Sequence, residues 1–387
     1  MKRSTELIHP AYEPPGGFAS PQPGVYKAST VIFPNVAALR SRDWRNKAGY
    51  TYGLHGTPTT FILEERIAAL EGGTQCVLVP SGLAAIANVS LSLLAAGDEV
   101  LLPDNVYGPS KALAENELRQ WGISHALYDP MVPDDLRSRI GPKTKLVWLE
   151  APGSVTMEFP PLRELAQACR DKGVLSALDN TWSAGIAFNG FDAGADIVAQ
   201  ALTKYPSGGG DVLMGSNVTR DANLHERLRL THMRLGWGVG GNDAEAVLRG
   251  LSSIDLRYRA QDRAARQLAA WMRQREEIAH VLHPAFEGSP GHRNWKTLCG
   301  EDGLAAGLFS VVFDERYGTQ QVDAFCDALK LFKLGYSWAG PISLVVPYDL
   351  PSMRSVCPYK GTLVRFSLGL EAVEDLIADI DQALDAL

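Results

Sequence analysis

Three places in this sequence set a charged or reactive side chain directly after an apolar run that reads as a buried strand. "DIVAQALTKYPSGGGD" ends its run at Lys204 and passes into a proline and three glycines. A lysine there is costly unless its charge is paired or its amine is put to use. "VLSALDNTW" ends at Asp179, and "CVLVPSGLAAI" ends at Ser81-Gly82 and enters a helical pattern at once. Each residue has a structural reading: a snorkelling or ion-paired lysine, an aspartate capping a loop, a serine N-cap on a tight turn. Each also has a chemical one. Burial lowers an amine's pKa and makes Lys204 nucleophilic toward an aldehyde. A carboxylate at Asp179 can face a ligand's protonated ring nitrogen. The free N–H groups of a helix starting at Gly82 make a phosphate site, glycine letting the backbone come close. The glycines follow Lys204 instead of preceding it, which excludes a G-x-x-x-x-G-K phosphate loop.

These residues form one site only if their strands lie side by side, because ligands of open parallel α/β sheets bind beyond the carboxyl ends of the strands. The pattern supplies that arrangement. Helix "TTFILEERIAALEGG", strand "CVLVP", helix "LAAIANVSLSLLAAG", strand "EVLLPD" and helix "PSKALAENELRQWG" open an alternation that continues to strand "VLMGSNVT". Residues 59–242 therefore predict a mostly parallel sheet with helices on both faces. Residues 1–58, rich in Pro, Gly, Tyr and Thr, predict an extended arm that needs another surface to lie on. A helical tract over 243–275 predicts one long linking helix, which opens a smaller α/β domain over 243–387. A phosphate turn, an aspartate and a lysine on three strand ends are together what pyridoxal 5′-phosphate requires: an anion site, a partner for the pyridine nitrogen, and an amine for the aldehyde.

Composition narrows the partners. The 387 residues fit about two domains. With 37 Lys and Arg against 44 Asp and Glu, net charge is −7, and no basic block favours nucleic acid or an anionic membrane surface. No apolar leader and no stretch approaching 18 apolar residues is present, so a cytoplasmic protein is expected. Cys76, Cys169, Cys299, Cys326 and Cys357 are scattered without a C-x-x-C pair and read as reduced thiols. The eight histidines form no H-E-x-x-H or H-x-H arrangement, so no metal is expected. His280 and His283 flank a strand, and Trp237 is placed either in the site or in packing.

In order, "YGLHGTPT", "PSGLAAIA", "VYGPS", "LEAPGS", "DNTWSAG", "TKY" and "TLVRFSLGLE" resemble the motifs of the Cys/Met-metabolism PLP-dependent enzymes of fold type I, and most of all their bacterial cystathionine β-lyase members. The resemblance implies the fold type I architecture: a large, mostly parallel sheet domain, a smaller C-terminal α/β domain and an extended N-terminal arm. It implies Lys204 as the Schiff-base lysine, Thr203 as a phosphate ligand, Gly82 and Leu83 as backbone phosphate donors, and Asp179 as the pyridine-nitrogen partner. Tyr107 matches the tyrosine stacked on the cofactor ring, and Arg365 the clamp on the substrate α-carboxylate, a bidentate task suited to arginine. Tyr52 matches the tyrosine lent to a neighbouring subunit, which implies a homo-oligomer, at least a dimer, with tetramers common in the family. Tyr336, Ser337 and Trp338 of "GYSWAG" resemble the β-lyase segment lining the substrate site; γ-lyases tend to carry glutamate at the Tyr336 position. The implied reaction is β-elimination on cystathionine or another small sulfur amino acid. The alternatives within the family are γ-elimination or γ-replacement; the alternative outside catalysis is a PLP-binding protein. The chain departs from the pattern at Leu54 and His55, where relatives carry arginines, at Gly209 and Gly210, where G-H-S-D is common, and at Ile342, where an acid is usual.

Overall fold

Seven short strands build the larger sheet: β1 Gln75–Val79, β2 Glu99–Pro103, β3 Ser124–Tyr128, β4 Thr144–Glu150, β5 Leu175–Asp179, β6 Ile197–Ala201 and β7 Gly215–Thr219. The computed structural model describes residues 3–9, 12, 17–18, 20–45, 47, 49–354 and 359–387. The strand order is β1-β7-β6-β5-β4-β2-β3. All run parallel except β7, which is antiparallel to both β1 and β6. Parallel neighbours need a crossover, which helices supply except between β5 and β6, where residues 180–196 cross in turns. Residues 202–214 carry the Lys204 turn with no helix, and β7 returns beside β6 in the opposite direction.

Both faces of this sheet are buried, and the two faces split by strand alternation. Val147 and Leu149 enter one core with Leu63, Leu78 and Leu178, while Leu146 and Trp148 enter the other with Val77, Val79 and Ile197. The helix Pro58–Glu71 begins in a capping box between Thr57 and Thr60 and stops at Gly72, whose φ of 74° is the left-handed C-cap that glycine adopts without strain.

The smaller sheet comprises β8 Ile278–Leu282, β9 Leu308–Phe313, β10 Lys333–Leu334, β11 Leu344–Tyr348 and β12 Leu363–Ser367, ordered β10-β11-β12-β9-β8. Helices Thr319–Ala328 and Val373–Leu384 share its core through Phe325 and Leu376.

The linking tract is two helices, not one. Gly241–Leu251 buries Val247 and Leu248 in the large domain, and Ile254–Met272 carries Leu268 and Met272 into the small one. They meet at Ser252-Ser253, where the tract closes on the Lys204 turn. A Cβ on Gly250 would collide with the carbonyls of Pro206 and Ser207, and Arg257 Nη2 donates to the carbonyls of Tyr205 and Gly250, both at 2.8 Å.

The arm is not wholly extended; it includes short helices at Arg3–Ile8 and Val36–Arg40. It is sewn to its own subunit by Thr59, whose hydroxyl donates to Gly24 O at 3.0 Å and accepts from Tyr26 N at 2.8 Å. The buried Arg229 guanidinium donates to Arg45 O at 3.2 Å and His55 O at 3.0 Å, bracketing the segment that carries Tyr52.

Candidate active site

The carboxyl ends of β1, β4, β5 and β6 and the 336–338 loop of the small domain enclose one cavity of about 820 Å³. Lys204 enters it from the turn after β6. Its Nζ donates to Ser337 Oγ at 2.7 Å and lies 5.4 Å from the Trp338 ring centroid. Burial and then the positive charge of Arg365 pull its pKa down to about 8, against the opposing pull of Asp179. A larger fraction is therefore neutral at pH 7 than for a free lysine, the state a carbonyl-attacking amine must have.

Asp179 ends β5 and accepts two bonds at Oδ1, from Thr181 N at 3.0 Å and Thr181 Oγ1 at 2.6 Å. Burial raises its pKa, while the Thr181 bonds and Lys204 favour the charged form. The β4–β5 register sets Glu150 directly beside it. Burial and the Asp179 charge push the Glu150 carboxyl well up, although it accepts from Tyr107 N at 2.9 Å. Two carboxyls on adjacent strand ends cannot both ionise cheaply; Glu150 is the one held toward its neutral form.

Ser81 N-caps the helix Gly82–Leu93, accepting from Ala84 N at 3.0 Å. The first-turn N–H groups of Gly82 and Leu83 have no intrahelical partner and face the helix's positive end. A Cβ on Gly82 would stand 2.6 Å from Ala201 Cβ, so glycine brings this turn against β6 and beside Lys204. Thr203 lines the same end, but its hydroxyl is engaged with Met214, donating to O at 3.2 Å and accepting from N at 3.1 Å.

Tyr107 forms the lip opposite, its phenol raised by burial and by the neighbouring Asp179 and Glu150. Arg365, in β12, is 8% exposed; its Nη2 donates to Ser337 O at 3.4 Å and its guanidinium lies 5.3 Å from the Tyr348 ring. Trp338 packs edge-on to Tyr205, whereas Tyr336 stands at the rim, 81% exposed. Ser337 and Ala339 hold φ of 121° and 66°, conformations L-residues rarely adopt, so this loop is held in place by its contacts.

The structure thus brings together Lys204, Asp179, Gly82, Leu83, Thr203, Tyr107, Arg365, Tyr336, Ser337 and Trp338. Tyr52 lies outside the cavity of its own subunit, exposed beside His55. Gly209 and Gly210 are exposed and do not line it, while Leu213 does. Trp237 packs against a core instead. His280 lies within β8 and not at its flank, and His283 is buried just beyond it. Glu150, Thr181 and Tyr348 were not singled out from the sequence; Glu150 ends the apolar run "KLVWLE", so the strand-end rule reaches it. Among the described residues no group of three or more His, Cys, Asp or Glu is placed to hold a metal, and Cys76, Cys169, Cys299 and Cys326 are unpaired. Cys357 falls outside the described residues.

These residues fit pyridoxal 5′-phosphate. An anion site at Gly82-Leu83, a half-buried carboxylate whose Oδ1 is taken by Thr181, and an amine hydrogen-bonded to a neutral hydroxyl converge on one space. Comparison with known proteins agrees. Residues 4–385 match the model of the family described as Cys/Met metabolism PLP-dependent enzyme. The chain is 35% identical to the cystathionine beta-lyase MetC of Escherichia coli K12, covering 92% of this chain and 91% of the relative. It is 37% identical to a cystathionine beta-lyase of Bordetella avium, covering 93% and 90%. The crystal structure of metB from Corynebacterium glutamicum superposes with a TM-score of 0.90 at 29% identity, over 99% of this chain and 97% of that one.

Proposed function

The chain belongs to the Cys/Met metabolism PLP-dependent enzyme family, and on that footing we propose that it is a carbon–sulfur lyase. The reaction is β-elimination on cystathionine or a related sulfur amino acid, giving a thiol, pyruvate and ammonia. The observation that carries this reading is the convergence of Lys204, Asp179 and Arg365 on one cavity with the Gly82 helix start.

Bound pyridoxal 5′-phosphate would supply the electron sink for the carbanion left at Cα. The N–H groups of Gly82 and Leu83 would hold its phosphate, with Thr203 beside them, Asp179 would keep a proton on its ring nitrogen, and Tyr107 would pack on the ring. Arg365 grips the substrate α-carboxylate and fixes which Cα bond faces Lys204. The Lys204 amine takes the Cα proton as general base and returns a proton to the departing sulfur. Tyr107, and Tyr52 lent by a neighbouring subunit, assist deprotonation of the substrate amine. Tyr336, Ser337 and Trp338 close the substrate side. Tyr52 requires at least a dimer. No helix among the described residues is long and apolar enough to cross a membrane, and a cytoplasmic location accords with the substrate class.

The test is incubation of the holoenzyme with L-cystathionine, L-cystine and O-acetyl-L-homoserine, with the keto acids identified. Pyruvate supports β-elimination; 2-oxobutyrate alone transfers the assignment to γ-elimination; neither product from any of them removes the lyase reading.

A further inference from the structure

Resting on the lyase assignment above, we propose that the cavity selects substrates whose leaving group is uncharged and apolar, S-alkyl or S-aryl cysteines, over those carrying a second carboxylate. Among the described residues lining the cavity the cations are Lys204 and Arg365, against the carboxylic acids Glu150, Asp179 and Asp349. Both cations are committed, Lys204 to the cofactor and proton transfer and Arg365 to the α-carboxylate. The rest of the wall carries no charge: neutral hydroxyls, among them Ser154, Tyr336 and Tyr348, stand beside the apolar Leu83, Val155, Met157, Leu213, Leu308 and Met353.

Two more cations stand behind that wall, and both are occupied. Arg354 is locked to Asp104 at 2.9 Å and to Glu158 at 2.6 Å, and Lys111 Nζ donates to Met353 O at 3.4 Å with Glu115 at 3.9 Å. The turn that carries Tyr52 holds no strong cation of its own: Leu54 and His55 stand there, His55 with a pKa lowered by burial and then by Arg229 and Arg42, and the flanking Arg45 and Lys47 pair with Glu226 and Glu64. A distal carboxylate in this cavity therefore meets methyl, thioether and neutral hydroxyl groups, with no cation of the described lining left to pair with it. An alkyl or aryl sulfur substituent buries apolar surface there instead.

The experiment compares S-ethyl-L-cysteine, S-benzyl-L-cysteine and L-cystathionine on the holoenzyme, which share Cα, Cβ and the scissile sulfur. Pyruvate release gives kcat/KM, and titration of the cofactor absorbance gives binding separately. We expect the two uncharged substrates to exceed cystathionine, whose leaving group carries both a carboxylate and an ammonium, by about tenfold or more in both, the cost of taking those charges out of water. Leu213→Arg, at a side chain 72% exposed and so free of core packing, installs the missing cation and narrows the ratio. Equal or better use of cystathionine by the wild type overturns the inference, as does an unchanged ratio in Leu213→Arg. Tighter binding of the uncharged pair with no pyruvate from any substrate sustains the selectivity and removes the lyase chemistry.

Discussion

Lys204 and Ser337 meet amine to hydroxyl at 2.7 Å across the seam between the two domains, with Ser337 held at a φ of 121°. A neutral hydroxyl leaves the amine's proton free to be lost, which a carboxylate partner would prevent. The same contact joins the turn after β6 to the loop that carries Tyr336 and Trp338, so the lysine's resting position and the substrate wall are set by one hydrogen bond.

On the proposed mechanism, replacing Lys204 by alanine removes the covalent link to the cofactor and the general base together. We expect lyase turnover to fall by ~10³-fold or more, with loss of the visible absorbance of the lysine-bound cofactor. Full turnover with an unchanged spectrum would remove Lys204 from the mechanism.

The depressed lysine pKa predicts a pH profile. Only the neutral amine attacks an aldehyde, so the rate at which cofactor-free protein takes up pyridoxal 5′-phosphate should rise with pH and level off above about 8. The positive charge of Arg365 helps hold that pKa down, so Arg365→Leu should move the limb to higher pH. Stopped-flow absorbance measures it; a limb displaced to lower pH in the variant contradicts the electrostatics.

Gly82→Ala adds a methyl 2.6 Å from Ala201 Cβ, where only a backbone shift can relieve the clash. The helix start then moves away from Lys204. The expected result is a loss of ~1–3 kcal/mol, read as a lower unfolding midpoint and weaker cofactor binding. Unaltered cofactor affinity would show that the phosphate does not use this turn.

Arg354 pairs with both Asp104 and Glu158, and the side-chain exposures of the three are 13%, 21% and 7% in that order. Arg354→Ala leaves two poorly hydrated carboxylates facing each other, a loss of about 3–5 kcal/mol. Urea denaturation at pH 7 checks it, and a change below ~1 kcal/mol would class the cluster with exposed ion pairs.

If Tyr52 serves the neighbouring site, two inactive variants complement. Mixing Tyr52→Phe with Lys204→Ala subunits under exchange conditions yields mixed dimers with one intact site each. Random pairing restores about a quarter of the sites. No recovery above the separate variants would confine Tyr52 to its own chain.

Much of this site was legible because strand ends in parallel sheets all open on one side. Lys204, Asp179 and Gly82 follow mainly apolar runs, so the sequence alone aligned them. Glu150 obeys the same rule but looks ordinary until the β4–β5 register places it against Asp179. Tyr348 was invisible for a different reason: it ends a strand of the smaller sheet, whose approach to the cavity depends on how the domains pack. The linking tract misled because Ser252-Ser253 carries no proline or double glycine, and the break comes from contact with the Lys204 turn, a tertiary cause absent from local pattern. The reversal of β7, Gly-Ser-Asn-Val-Thr, has no signature in its residues, because a strand pattern reads alike in both directions.

The two hydrogen bonds by which Arg229 holds Arg45 O and His55 O give the arm a second meaning. Arg229 sits in the helix Ala222–Leu235, part of the large domain, so the Tyr52 segment is presented only when that domain has folded around it. If Tyr52 serves a neighbour's site, a subunit that misfolds there withholds that tyrosine as well as losing its own lysine site, and damage in one chain costs activity in two.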